Sequence, residues 1–225
     1  MHFPDDTHAT SLTAARTCRR SLERLTRLRA LTRLQRRIGG IRAGSAAYLY
    51  VLGPIGQRLL DPDAPRRVVR EPSLLYLAHT LAITDAFVEL TLAARQGRFE
   101  LLSVTHEPGC WRSFFGPNGA TSWIKPDLAV TIGTSDRELS WFLEVDRGTE
   151  HAPALRRKGQ AYLAAYQYGN VTTQEGVFPR VLWLVPDQRR AAALVKALPR
   201  SELSEQLFVV TTTDDLLSTA QELTR

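Results

Sequence analysis

Lys125-Pro126-Asp127-Leu128-Ala129-Val130 and, a turn later, Trp141-Phe142-Leu143-Glu144-Val145-Asp146 are the two runs that decide how this chain folds. Each is an apolar stretch of strand length that carries carboxylates at its ends. Side chains alternate along a strand, so Phe142, Glu144 and Asp146 share one face while Leu143 and Val145 share the other. If the two strands pair as a hairpin, Asp127, Glu144 and Asp146 converge at one end of a sheet. Three gathered carboxylates repel one another unless a cation lies among them, and hard oxygen donors favour Mg²⁺ or Mn²⁺. Asp127 and Glu144 are the expected ligands, and such an ion would activate water and neutralise charge developing on a phosphate. The alternative is that these acids are solvated or paired to nearby arginines such as Arg147.

Working outward, the pattern predicts a long helix over 73–96 ended by Gly97, a strand over 99–106, the two strands 127–132 and 139–145, and a helix over 153–168. A strongly apolar strand at 181–185, a helix at 188–198, a strand at 207–210 and a last helix from Thr213 complete it. That order makes an α/β domain with a mixed sheet flanked by helices. In the long helix Leu74, Ala78, Leu81, Asp85, Val88 and Leu92 follow one stripe, which sets Asp85 on the face expected to be buried. A buried carboxylate there needs a metal, an arginine or hydrogen bonds. In the following helix Leu155, Lys158, Tyr162 and Tyr166 form the stripe. Lys158 either snorkels to water or points at the carboxylates, where it would hold a phosphate or polarise water. His79 reads as a packed or capping histidine, Glu107 as a loop acid that could border the site, and the four tryptophans, Trp123 among them, as core.

The chain has 225 residues and a net charge of +6, unevenly placed. Ten arginines and one acid, Glu23, lie between positions 14 and 42, giving +9 there and leaving −3 for the rest. Such an arm suits a polyanion, and arginine suits bidentate phosphate or guanine contacts; a solvated basic helix is the plainer alternative. Leu22, Leu25, Leu28 and Leu31 recur at helical spacing, predicting one or two helices over 13–34 that stop at Gly39-Gly40. Two short strands around Gly44-Ser45 are expected within 41–52, then a short helix at 54–60. Helix, hairpin, helix is the order of the later half of a winged helix, with 14–24 as its recognition helix. The charged, proline-rich run 61–72 reads as a linker, so the expected organisation is 1–60, linker, and 73–225. Arg16, Arg19, Arg20, Arg24, Arg36, Arg37 and Arg42 are the candidate DNA contacts.

Two cysteines, Cys18 and Cys110, are too few for a disulfide framework or a cysteine-based zinc site. No apolar run approaches twenty residues and no secretory leader is seen, so a cytoplasmic protein with no membrane partner is expected. Phosphate-binding-loop, G-x-S-x-G and H-E-x-x-H patterns are absent, which argues against nucleotide, serine and zinc hydrolysis.

Taken together, the helix, the Pro126-Asp127 strand, the strand ending Glu144-Val145-Asp146 and the next helix resemble the core of PD-(D/E)XK nucleases. The run 141–150, with Leu155-Arg156-Arg157-Lys158 and Tyr162, is similar to the replication-relaxation family, as are 36–45 and 177–185. The resemblance implies a DNA-associated bacterial protein acting in replication or relaxation of plasmid or mobile-element DNA, alone or with other replication proteins. It implies either Mg²⁺- or Mn²⁺-dependent phosphodiester cleavage or a nuclease-like module without catalysis. Carried over, Asp85 is the acid of the first helix, Asp127 the strand acid and Glu144 the (D/E) of the motif. Asp146 stands where the motif lysine belongs, which makes Lys158 the candidate replacement. The basic segment implies a winged helix truncated at its start, since only eleven residues precede Leu12.

Overall fold

The basic run near the N-terminus forms one helix, α1 (Ser11–Arg27), whose first turn is capped by the Thr10 hydroxyl accepting from the Thr13 N–H at 3.1 Å. The computed structural model describes residues 10–34, 48–63, 72–116, 118–134, 137–169 and 176–223. The chain divides into two units, Met1–Leu74 and Leu75–Arg225.

In the first unit α1 ends earlier than its leucine spacing predicts. Arg29 turns the chain in the left-handed region at φ 56°, and the Arg29 and Ala30 N–H groups close back on the Thr26 and Leu25 carbonyls. Leu31 consequently lies in a strand, β1 (Leu31–Arg33), instead of a helix. β1 pairs antiparallel with β2 (Tyr50–Leu52), which falls where the second of the two strands expected within 41–52 was placed, while the first lies outside the described residues. The Gly44-Ser45 turn and Arg36, Arg37 and Arg42 lie outside the described residues. α2 (Pro54–Leu60) follows with proline in its first turn, as expected. Gly56 sits so close to the α1–β1 turn that a Cβ there would be 2.1 Å from the Ala30 carbonyl oxygen.

The second unit is mixed α/β. Its elements are α3 (Leu74–Arg95), β3 (Glu100–His106), β4 (Arg112–Phe115), β5 (Thr121–Ile124), β6 (Leu128–Gly133), β7 (Glu138–Val145), α4 (Ala152–Tyr168), β8 (Arg180–Val185), α5 (Gln188–Ala197), α6 (Glu202–Leu207), β9 (Phe208–Thr212) and α7 (Leu216–Leu223). The central sheet runs β3-β6-β7-β8-β9, antiparallel across its first three strands and parallel across the rest. β4 and β5 form a separate hairpin, and α6 is a short helix; neither stands out in the periodicity.

Alternation along the strands sorts the core into two layers. Leu128, Val130, Trp141, Leu143 and Leu182 pack on α3 and α7, while Phe142, Val181, Trp183 and Val185 pack on α4 and α5. The expected division between Phe142 and Leu143 therefore holds. α3 has the length and hydropathy of a membrane span, yet Ile83, Ala86, Leu90 and Ala93 pack its inner face onto the sheet. That face is rotated from the predicted stripe. Leu74, Leu81 and Leu92 are exposed, and so is Asp85, correcting the expectation that it is buried. α3 is apolar on nearly all sides, so spacing alone could not choose which side meets the sheet.

Candidate functional site

β6 and β7 are neighbours, and the Asp127 N–H donates to the Leu143 carbonyl at 3.0 Å, so the carboxylates at their adjoining ends are fixed by the ladder. Asp127 is 6% exposed and Glu144 1%. Burial at that level demands partners for every carboxylate oxygen. Asp127 accepts from the Val145 N–H at 2.7 Å through Oδ2 and contacts His79 Nε2 at 3.1 Å through Oδ1. Glu144 accepts from the Tyr162 hydroxyl at 2.5 Å through Oε1 and from Lys158 Nζ at 2.8 Å through Oε2. Lys158 also reaches Glu150 Oε1 at 3.1 Å. Three elements thus converge: the sheet end supplies two acids, α4 the lysine and phenol one turn apart, and α3 the histidine.

The electrostatics follow from that burial. Desolvation pushes the Glu144 carboxyl up to about 7, with the Lys158 charge working against the rise and the Asp127 charge adding to it. Burial opposes the charge on Lys158, but Glu144, Glu150 and Asp127 outweigh it and raise its pKa, so the side chain stays an ammonium. Burial, then the Glu144 charge, raises the Tyr162 phenol, which remains a hydrogen-bond donor. The hydrogen bond to Asp127 raises the His79 pKa against desolvation, with the Asp127 and Glu107 charges adding to it. Near neutrality the site therefore holds the Lys158 ammonium against two acids, one of which, Glu144, titrates close to physiological pH, and Asp127 favours the protonated form of His79.

Lys158 points at the carboxylates, the second of the two readings open for it. Asp146 does not join the cluster. Its Oδ2 accepts from Arg190 Nε at 2.5 Å and its Oδ1 from the Gly148 N–H at 2.8 Å, which ties the loop after β7 to α5. Nor does Asp85 contact it from the exposed face of α3; its charge acts on Glu89, together with burial and Asp214. His79 is the residue that the sequence reading set aside. It stands four residues before Ile83 and seven before Ala86, on the stripe α3 buries, and that true stripe was the signal for it. Cys110 is fully buried, donates to the Pro126 carbonyl at 3.0 Å and is pushed up to about 11 by burial, which makes it an inert thiol.

Among the described residues no group of three or more histidine, cysteine, aspartate or glutamate side chains is placed to hold a metal ion. The donors that remain for Mg²⁺ or Mn²⁺ are Asp127 and Glu144. Two carboxylates suffice for Mg²⁺, which keeps several waters and takes further oxygens from phosphate.

In the first unit Arg16, Arg19, Arg20, Arg24 and Arg27 are all exposed, spaced so that they line one side of α1 with Glu23 among them. Ala14, Cys18, Leu22 and Leu25 occupy the opposite, more buried side.

A search of curated proteins finds no match to this chain. The family model described as replication-relaxation matches residues 2–181, spanning both the basic helix and the sheet-end cluster, and the chain belongs to the replication-relaxation family.

Proposed function

We propose that the protein is a DNA-associated factor of bacterial plasmid or mobile-element replication and relaxation, with a nuclease-like second unit that acts on phosphodiesters. The observation that carries this reading is the gathering of Asp127, Glu144 and Lys158, with the lysine 2.8 Å from the glutamate. A PD-(D/E)XK-like site needs an acid on each of two paired strands and a cation beside them. Here Asp146 occupies the usual lysine position, and α4 delivers a lysine to the same carboxylate.

In this reading Asp127 and Glu144 would hold Mg²⁺ or Mn²⁺, and the ion would supply an activated water and charge neutralisation at the phosphate. Lys158, permanently charged, attracts the phosphate oxygens and stabilises the charge that grows on them. Tyr162 and the Val145 N–H hold the two carboxylates in orientation, and His79 Nε2 contacts Asp127 from the α3 side. Glu144 must be ionised to act, so activity rises with pH as its proton leaves near neutrality. The exposed arginines of α1, read as the recognition helix of a winged helix, supply DNA affinity through phosphate contacts.

Conversion of supercoiled plasmid to the nicked form, assayed with Mg²⁺ or Mn²⁺, tests the reading. Wild type is expected to nick, and Asp127→Ala and Lys158→Ala to lose at least about a hundredfold. If wild type binds DNA but no metal-dependent nicking separates it from the variants, cleavage is rejected. One observation favours that second reading, a binding module without catalysis: all four oxygens of Asp127 and Glu144 already have protein donors.

A further inference from the structure

The β4–β5 hairpin leaves and rejoins the sheet at the candidate site, between the Glu107 N–H, which donates to the Asp127 carbonyl at 3.2 Å, and Asp127 itself. Its two faces differ. Phe114 and Ile124 point inward and belong to the core layer shared with α4, the helix that carries Lys158 and Tyr162. On the outward face Trp123 is 52% exposed and Phe115 68% exposed. The register pairs Ser113 with Trp123 and Phe115 with Thr121, so the two rings are diagonal neighbours on one surface. Trp141 and Trp183, in contrast, are buried, as the strand pattern predicts. Trp123 corrects that prediction: it faces solvent.

Two large exposed aromatics on a hairpin anchored from behind do nothing for the core. Lys125, exposed and two residues beyond Trp123, adds a positive charge to the same segment, its Nζ 4.7 Å from the Trp111 ring centre. Flat apolar rings beside a cation match one chemistry closely, a nucleobase attached to its phosphate. Trp123 lies four positions before Asp127, which limits their Cα atoms to a separation of about 14 Å. A base resting on Trp123 would therefore belong to the same short stretch of strand as a phosphate at the sheet end.

We propose that the outward face of the β4–β5 hairpin, Trp123 with Phe115, stacks unpaired nucleobases of a DNA strand whose phosphate lies at the Asp127–Glu144–Lys158 site. This rests on the reading of that site as phosphodiester-directed, and it adds what the site itself does not state: the preferred DNA is single-stranded or locally opened. Bases inside a duplex cannot offer their faces to the hairpin.

The test uses the full chain with labelled oligothymidylate and a duplex of equal length, reading anisotropy and tryptophan emission together. Oligothymidylate is expected to quench wild-type emission. Trp123→Ala should abolish most of the quenching and weaken single-strand binding about tenfold, leaving duplex binding unchanged. Trp123→Phe, which keeps a ring, should retain most of the affinity, and Phe115→Ala should show a smaller loss. Equal single-strand affinity of wild type and Trp123→Ala, with duplex binding intact, overturns the stacking proposal and leaves the DNA reading standing. If neither DNA binds wild type, the DNA reading fails and the stacking proposal fails with it. If Trp123→Ala lowers the unfolding midpoint, Phe115→Ala with a wild-type midpoint decides, and wild-type single-strand affinity in that variant rejects stacking.

Discussion

At Glu144 the proton balance can be followed to a measurable result. Its carboxyl is raised from 4.5 to about 7 in the fold, chiefly by burial, so the folded state holds a proton that the unfolded chain has released. Glu144 therefore subtracts stability as pH rises from 4.5 to 7, by on the order of 3 kcal/mol. His79, whose pKa is also raised, contributes stability that is present below its unfolded pKa and lost as pH rises through the folded one. Denaturant titrations across this range should show wild-type stability falling with pH, and Glu144→Gln should flatten the profile; a variant as steep as wild type would reject the assignment. Lys158→Met carries a related expectation. It leaves Glu144 buried beside Asp127 without its cation, which should cost about 3 kcal/mol at pH about 8 and clearly less at pH about 5.5, where Glu144 can take a proton. Equal losses at the two pH values would mean the pair is not coupled. Asp127 and Glu144 were legible in the sequence because strand alternation is a strong local pattern, whereas a lysine within an apolar helical stripe marked Lys158 without deciding between water and the carboxylates. His79 was not, because choosing it requires knowing which side of an all-apolar helix meets the sheet.

Among the elements, α4 matters most to the site, and its placement hangs on Gly159. A Cβ at that position would lie 2.7 Å from Pro199 Cδ and 3.0 Å from Leu198 Cδ2, so α4 and the segment after α5 approach more closely than any larger residue permits. Gly159→Ala should cost about 1–3 kcal/mol through overpacking, despite the better helix propensity of alanine, and should shift Lys158, its immediate neighbour. Thermal unfolding reads the first effect. The second appears as a change in the pH dependence of stability governed by Glu144. A variant with unchanged midpoint and profile would show that the 198–199 segment yields easily. The elements themselves were largely readable where local chemistry carries the signal: Gly97, at φ 74°, ends α3 where expected. The same left-handed turn after α1 is made by Arg29, a residue type that gives no such warning, and the strand at Leu31 was hidden behind it. The β4–β5 strands are four residues each and each ends on two adjacent large apolar residues, one inward and one outward, so their pattern resembles a loop until the partner strand is known.

Over the whole molecule, charge separates two tasks. The arm between positions 14 and 42 carries +9, whereas positions 75–225 hold 15 basic and 17 acidic side chains, so attraction of a polyanion is expected from the arm. Nonspecific affinity should then come from the exposed arginines of α1, and the sheet-end cluster should govern what happens to a strand already held. Counterion release makes this quantitative: each phosphate neutralised contributes about 0.9 to the slope of log affinity against log salt concentration. Replacing Arg16, Arg19 and Arg20 with glutamine should lower the duplex slope by nearly 3 if each meets a phosphate, with the largest loss of affinity at about 50 mM salt and convergence toward wild type at higher salt. Lys158→Met, by contrast, should leave the duplex slope within about one contact of wild type, because its charge is already committed to Glu144 and Glu150. Anisotropy titrations over a salt series distinguish the two. If the triple arginine variant keeps the wild-type slope while Lys158→Met loses several contacts, the body is the main DNA surface and the division of labour between the units is reversed.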